Sequence, residues 1–238
     1  MSIFKGKENY DSDKEFVDRT KKRLNAKSRG KLGNARHGFM HDGGDFSEMP
    51  NTDLYVNWMK EQIGKNDNLN ILEVGCGFGR WAPALDGYYR SYTGVDITED
   101  RIKYAKSEYS RKDRTFVHVG KNWHFGRQFD IVFCCYVLQH LLVPDTVDLL
   151  KCMRDSLKPN GKILAWEQKI GDFSLEDAEW AYLNDGGVTI IPKPIWLMEE
   201  NVPELKWKLL TEHGKKWPKE YPKGKKLGYE LNGFEITF

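Results

Sequence analysis

Asn70-Ile71-Leu72-Glu73-Val74-Gly75-Cys76-Gly77-Phe78-Gly79 is an apolar burst that ends in three alternating glycines, and its reading decides the fold. A short apolar run closed by glycine reads as a strand that turns sharply into a helix. Glycine there lets the backbone bend and come close to a ligand. A lone GxGxG also suits a dinucleotide, a nucleoside or a plain tight turn. Three neighbours narrow it. Glu73 puts a carboxylate inside the apolar strand, where it needs a partner such as a ligand ammonium group. Arg80 stands where a dinucleotide-binding GxGxxG would place its third glycine. Asp96 follows Gly75 by 21 residues, the place of an acid that accepts ribose hydroxyls.

Outward from this turn, apolar runs alternate with helical periodicity. Strands are expected at Asn70–Val74, Tyr92–Ile97, Thr115–Val119, Phe129–Cys135 and Lys162–Trp166. Helices are expected over Asp53–Ile63, Arg80–Leu85, Thr98–Tyr109 and Pro144–Leu157. Thr98 is the expected cap of its helix, with Glu99 and Asp100 in the first turn, where the helix dipole favours negative charge. Lys158-Pro159-Asn160-Gly161 is a stop signal for the last of these helices. Short helices over Leu175–Leu183 and Pro194–Glu200 and two final strands, Trp207–Thr211 and Phe234–Phe238, complete the pattern. The expected architecture is α/β: a doubly wound, mostly parallel, seven-stranded sheet with helices on both faces. Residues 1–50 form an extension with a helix around Asp13–Leu24, and residues 51–238 form the main domain.

The 238 residues suit one large domain. The four cysteines include no CxxC pair, which argues against a disulfide framework or a zinc site. No signal-peptide-like or membrane-spanning run appears, so a cytoplasmic protein is expected. The net charge of +2 hides an asymmetry: residues 1–36 carry +6 and residues 213–227 carry +5. Solvated basic surface is the plain reading of such runs, and affinity for an anionic partner the sharper one.

Four stretches together resemble the successive signatures of class I methyltransferases that use S-adenosylmethionine (SAM). They are Glu73-Val74-Gly75-Cys76-Gly77-x-Gly79, Gly94-Val95-Asp96-Ile97-Thr98, Phe129 to His140, and Leu157-Lys158-Pro159-Asn160-Gly161-Lys162-Ile163-Leu164. The resemblance covers roughly residues 55–170 and implies SAM as cofactor and S-adenosylhomocysteine (SAH) as product. It implies that Glu73 lies near the methionine ammonium, and that the backbone of Gly75, Cys76 and Gly77 lies against the methionine part. Asp96 would take the ribose hydroxyls and Ile97 the adenine face. Cys135 and Tyr136 would face the methionine end. Where the family often carries an acid for the adenine amino group, this chain reads Gly120-Lys121-Asn122-Trp123-His124, so Asn122 and Trp123 are the adenine candidates.

Methyl transfer asks chiefly for an in-line nucleophile, and an alcohol acceptor also gains from a general base. His140, after the fourth strand, is the first candidate, with His37, His41 and His124 as alternatives. Glu167 reads as polar rim or as a substrate-binding acid. Cys134 and Cys135 read as small buried hydrophobes. No paired-acid cluster argues for a metal. Acceptor choice is expected in residues 1–50, with Arg29–Asp45 as a lid, and in the segment 172–206 with Trp180, Tyr182 and Trp196. Aromatic walls suit a sugar or other small metabolite, so methylation of an oxygen of a small molecule or glycan is expected, with nitrogen as the second choice of atom. A nucleic-acid or protein acceptor held by the basic ends is the second reading, with Lys215 to Lys223 as its main support. A non-catalytic SAM-fold accessory protein is the third.

Overall fold

The computed structural model describes residues 52–121, 123–168, 170–171, 193–214 and 230–238; for 52–54, 211–214 and 230–231 it describes the backbone alone. The expected helices at 13–24 and 175–183, the Arg29–Asp45 lid with His37 and His41, Asn122, and the basic tract from Lys215 lie outside these residues.

The described chain runs α1 (Thr52–Ile63), β1 (Asn70–Val74), α2 (Trp81–Ala84), β2 (Ser91–Asp96), α3 (Glu99–Tyr109), β3 (Arg114–His118) and β4 (Phe129–Cys135). A 3-10 turn follows at Leu138–His140, then α4 (Val143–Ser156) and β5 (Leu157–Gln168). Then come β6 (Ile170–Gly171), β7 (Lys193–Pro194), α5 (Ile195–Asn201), β8 (Lys206–Gly214) and β9 (Glu230–Thr237). Seven strands form one sheet in the order β3-β2-β1-β4-β5-β9-β8, parallel from β3 to β4 and antiparallel between β8 and β9. The order reverses beside β1, which makes the end of β1 a topological switch point, where ligands of such sheets bind. A separate two-stranded pairing of β6 with β7 was not foreseen.

Two expectations are corrected. The helix before β5 ends at Ser156, and the strand runs on from Leu157, taking in the foreseen stop signal. Asn160 sits there with φ +67, a left-handed conformation that asparagine tolerates better than most residues. Thr98 is the N-cap of α3 by position, yet its side chain makes no capping bond. Its own backbone N–H instead donates to Asp96 Oδ1 at 2.7 Å.

Two compact units share the chain. The first holds the described residues up to Cys134 together with Lys151–Leu164. Its core follows from the sequence periods. Tyr55, Trp58, Met59 and Ile63 bury one stripe of α1, as an amphipathic helix should. The Trp81 ring meets Tyr55 and Phe133 edge to face, at 5.8 and 5.6 Å between centroids. Polar strand residues have partners: Asp130 accepts from the Asn70 backbone N–H at 2.8 Å and from Lys158 Nζ at 2.7 Å. Burial pushes the Asp130 carboxyl up, but Lys158, the Asn70 N–H and Arg90 outweigh it and hold it below its ordinary range. A depressed folded pKa gives stability that is present above the ordinary carboxylate pKa and lost as pH falls through the folded value. Melting of Asp130→Asn should therefore lose less stability than wild type between about pH 5 and pH 2. Parallel acid limbs would contradict the assignment.

Gly79 has φ +80, and a Cβ there would lie 2.8 Å from Phe116 Cε1 and 2.9 Å from the Ala105 Cβ. Both backbone conformation and space exclude a side chain. Gly79→Ala should lower stability by roughly 2–4 kcal/mol in urea titration. A loss under about 0.5 kcal/mol, as at an ordinary surface site, would contradict this packing.

The second unit holds Cys135–Leu150 and the described residues from Ala165 on. Its buried residues include Trp166, Ile170, Met198, Leu205, Phe234 and Ile236. Trp207 packs edge to face on Phe234 at 5.4 Å across the β8–β9 pair.

Candidate cofactor and acceptor sites

In the first unit the parallel register sets Glu73 beside Gly94 and Val74 beside Val95, so β1 and β2 end together. The glycine turn is tied to that end. Gly75 and Cys76 both donate their N–H to the Val95 carbonyl, at 2.8 and 2.9 Å. Gly77 donates to Asp96 Oδ2 at 2.9 Å. Gly75 and Gly77 have φ +73 and +53, conformations that glycine adopts without penalty. One Asp96 oxygen thus holds the turn and the other holds the start of α3. Each carboxylate oxygen has two lone pairs, so both keep capacity for a hydroxyl. Ile97, next in the chain, is half exposed and offers an apolar surface beside that acid.

Glu73 is almost fully buried and accepts a hydrogen bond from the Tyr92 hydroxyl, a partner the sequence reading did not foresee. Burial pushes its carboxyl well above the ordinary range; Arg80 pulls the other way and Asp96 adds to the rise. The Cys76 thiol is likewise pushed up by burial and by the nearby acids, so it stays protonated. Arg101, a buried arginine on α3 that no motif singled out, lies beside the turn: a Cβ at Gly77 would be 3.8 Å from its Nη1. Its guanidinium also sits 5.4 Å from the Phe78 ring. Trp123 packs against Phe125 with centroids 5.4 Å apart, and Asn122 lies outside the described residues. These features fit a ligand with a cation, a ribose and a flat base: a buried acid, a glycine cradle, and an acid beside an exposed apolar residue.

The remaining candidates, Cys135, Tyr136 and His140, belong to the second unit. Tyr136 has φ +59, rare for a bulky residue and typical of functional turns. Its N–H donates to the Trp166 carbonyl at 2.8 Å, and its hydroxyl accepts from Trp166 Nε1 at 3.2 Å. The rim reading of Glu167 is overturned. Glu167 lies inside β5 with no exposure, and it accepts from three successive backbone N–H groups: Val137 at 2.9, Leu138 at 3.0 and Gln139 at 3.2 Å. Lys193, also fully buried, donates to the Leu138 carbonyl at 2.6 Å. Burial lowers the Lys193 amine to about 7, against the upward pull of Glu167 and Asp145. Burial raises the Glu167 carboxyl, against the three N–H groups and Lys193. The end of β5 therefore grips the turn that carries His140. An acid at the end of the apolar run Ile163–Trp166 carried the same signal that drew attention to Glu73.

Among the described residues no group of three or more His, Cys, Asp or Glu is arranged to hold a metal ion. No helix among them is long and apolar enough to cross a membrane.

Residues 72–163 match the family model described as a methyltransferase domain. With the strand order and the glycine turn, that match makes this segment a class I SAM-dependent methyltransferase domain. Its curated relatives include ubiquinone biosynthesis O-methyltransferases. The one from Leptothrix cholodnii is 28% identical over 114 residues, 45% of this chain and 48% of that protein. The one from Pseudomonas paraeruginosa is 30% identical over 115 residues, 46% of this chain and 48% of that protein. The chain thus spans about half the length of the curated relatives it matches. Among solved structures, the N-methyltransferase NodS from Bradyrhizobium japonicum in complex with SAH aligns with a TM-score of 0.59 at 13% identity, covering 89% of this chain and 97% of that one. A DhpI-SAM-HEP complex aligns with a TM-score of 0.60 at 12% identity, covering 92% and 97%. At such identities these structures speak for the fold.

Proposed function

We propose that this chain moves a methyl group from SAM to an oxygen of a small molecule and releases SAH. The observation that carries the reading is the junction at Asp96, whose two oxygens brace the glycine turn and α3 beside the half-exposed Ile97. In this reading Asp96 takes the ribose hydroxyls, Ile97 and Trp123 flank the adenine with Asn122, and Glu73 answers the ammonium. The backbone of Gly75, Cys76 and Gly77 follows the methionine chain, and Cys135 and Tyr136 meet its far end. Bound SAM supplies an electrophilic methyl on a sulfonium. The protein's part is to hold the acceptor oxygen in line, with His140 at the acceptor.

The choice of oxygen is supported by the relatives named as O-methyltransferases. Those names concern ubiquinone biosynthesis and lend nothing to the sugar acceptor expected from the aromatic segments. Residues 1–50 and 172–206 remain the proposed determinants of acceptor choice. The test is label transfer. The full chain is incubated with methyl-labelled SAM and a cell extract separated into dialysable, nucleic-acid and protein fractions. Label should enter the dialysable fraction as a base-stable methyl ether or an ester, and Asp96→Ala should lower it tenfold or more at sub-saturating SAM. Label in nucleic acid or protein would overturn the small-molecule reading. SAM binding with no label in any fraction would favour the accessory protein.

A further inference from the structure

We infer that Gln139 is a positioning residue that locks His140 in its neutral Nδ1–H tautomer, so that His140 does not serve as the base. The inference rests on the proposed methyl transfer only in placing His140 at the acceptor. The argument starts from a donor whose identity is fixed. The backbone N–H of Gln168 lies 2.9 Å from Gln139 Oε1, and a backbone N–H can only donate, so that atom is the amide oxygen. The Gln139 amide nitrogen therefore points the other way, and it lies 3.2 Å from His140 Nε2. An amide NH2 donates and does not accept. His140 Nε2 must then be the bare, accepting nitrogen, and the neutral ring carries its proton on Nδ1.

The relay is held from several sides. Gln139 is almost fully buried. Its backbone N–H is bound by Glu167, as are those of the two residues before it. Lys193 fixes the carbonyl of Leu138. The amide has no easy rotation that keeps the Gln168 bond. With Nε2 engaged and Nδ1 already protonated, the ring has no lone pair to offer the acceptor's proton. An acceptor oxygen that is methylated beside it loses its proton to water or arrives already ionised. This narrows the substrate class to small molecules with an acidic hydroxyl or an acid oxygen.

The tautomer can be read directly. The full chain labelled with 15N-histidine is observed by NMR at about pH 8, above the ordinary imidazole pKa. The His140 signal is assigned by its loss in His140→Gln. Its Nε2 should resonate in the unprotonated range and its Nδ1 in the protonated range, the reverse of the tautomer favoured by a free ring. Gln139→Glu keeps the Gln168 bond and turns a carboxylate oxygen toward the ring, so Nε2 should gain a proton and the pattern should invert. A wild-type ring protonated on Nε2, or a pattern unmoved in Gln139→Glu, overturns the inference. Binding of SAM, measured by calorimetry on the same samples, separately decides the reading on which it rests.

Discussion

Asp96→Ala is expected to weaken SAM binding tenfold or more, because hydrogen bonds to a charged group contribute about 1.5–3 kcal/mol. The loss has two sources. In the proposed site the ribose hydroxyls would lose their acceptor, and the N–H groups of Gly77 and Thr98 lose theirs, at 2.9 and 2.7 Å. The second source loosens the cradle before any ligand arrives. Calorimetry with SAM and with SAH should show the same ratio of affinities between wild type and variant, since both ligands carry the ribose. A folded variant that binds both as wild type does would remove Asp96 from the site.

Glu167→Ala should be the most destabilising single change in the second unit, by about 3–5 kcal/mol, the usual result of removing one partner of a buried pair. Three backbone N–H groups lose a buried acceptor, and Lys193 is left without the larger of its two compensating charges. Domains of this kind have only about 5–15 kcal/mol to lose. The deficit should also depend on pH. Lys193 titrates near 7 in the folded protein and near 10.4 unfolded, so the unfolded state binds more protons between these values and stability rises with pH there. Without Glu167 its folded value falls further. Glu167 itself has a raised folded value, so its own contribution is fullest in acid and fades as pH rises. Both effects act in one direction: the gap between wild type and Glu167→Ala should widen as pH drops from about 9 to about 6. Urea titrations at the two ends check the sign, and a gap that narrows in acid would contradict the buried pair.

The frame was legible from residues alone, and so was the set of residues proposed to meet the cofactor. β1, β4 and α1 lie within a residue of their expected bounds, because apolar runs and helical spacing are local signals. Glu73, the glycines and Asp96 drew attention because each breaks a local rule: an acid in an apolar strand, or glycine where a helix starts. What stayed hidden depends on residues far apart in sequence. Glu167 meets the turn 137–139 some 28 to 30 positions away, and Lys193 meets Leu138 across 55. Nothing at Lys193 announces burial, since lysine is nearly always exposed. Thr98 shows the limit of a local rule. Its sequence position is that of a cap, but its side chain makes no capping bond, and its own backbone N–H is bound by the acid two residues earlier.

The central claim is that the turn Gly75–Gly79 and Asp96 hold SAM, and equilibrium binding tests it most directly. Isothermal titration of the full chain with SAM should show one saturable site, from which SAH displaces it in competition. Absence of binding by the folded wild-type chain at millimolar SAM would contradict the account.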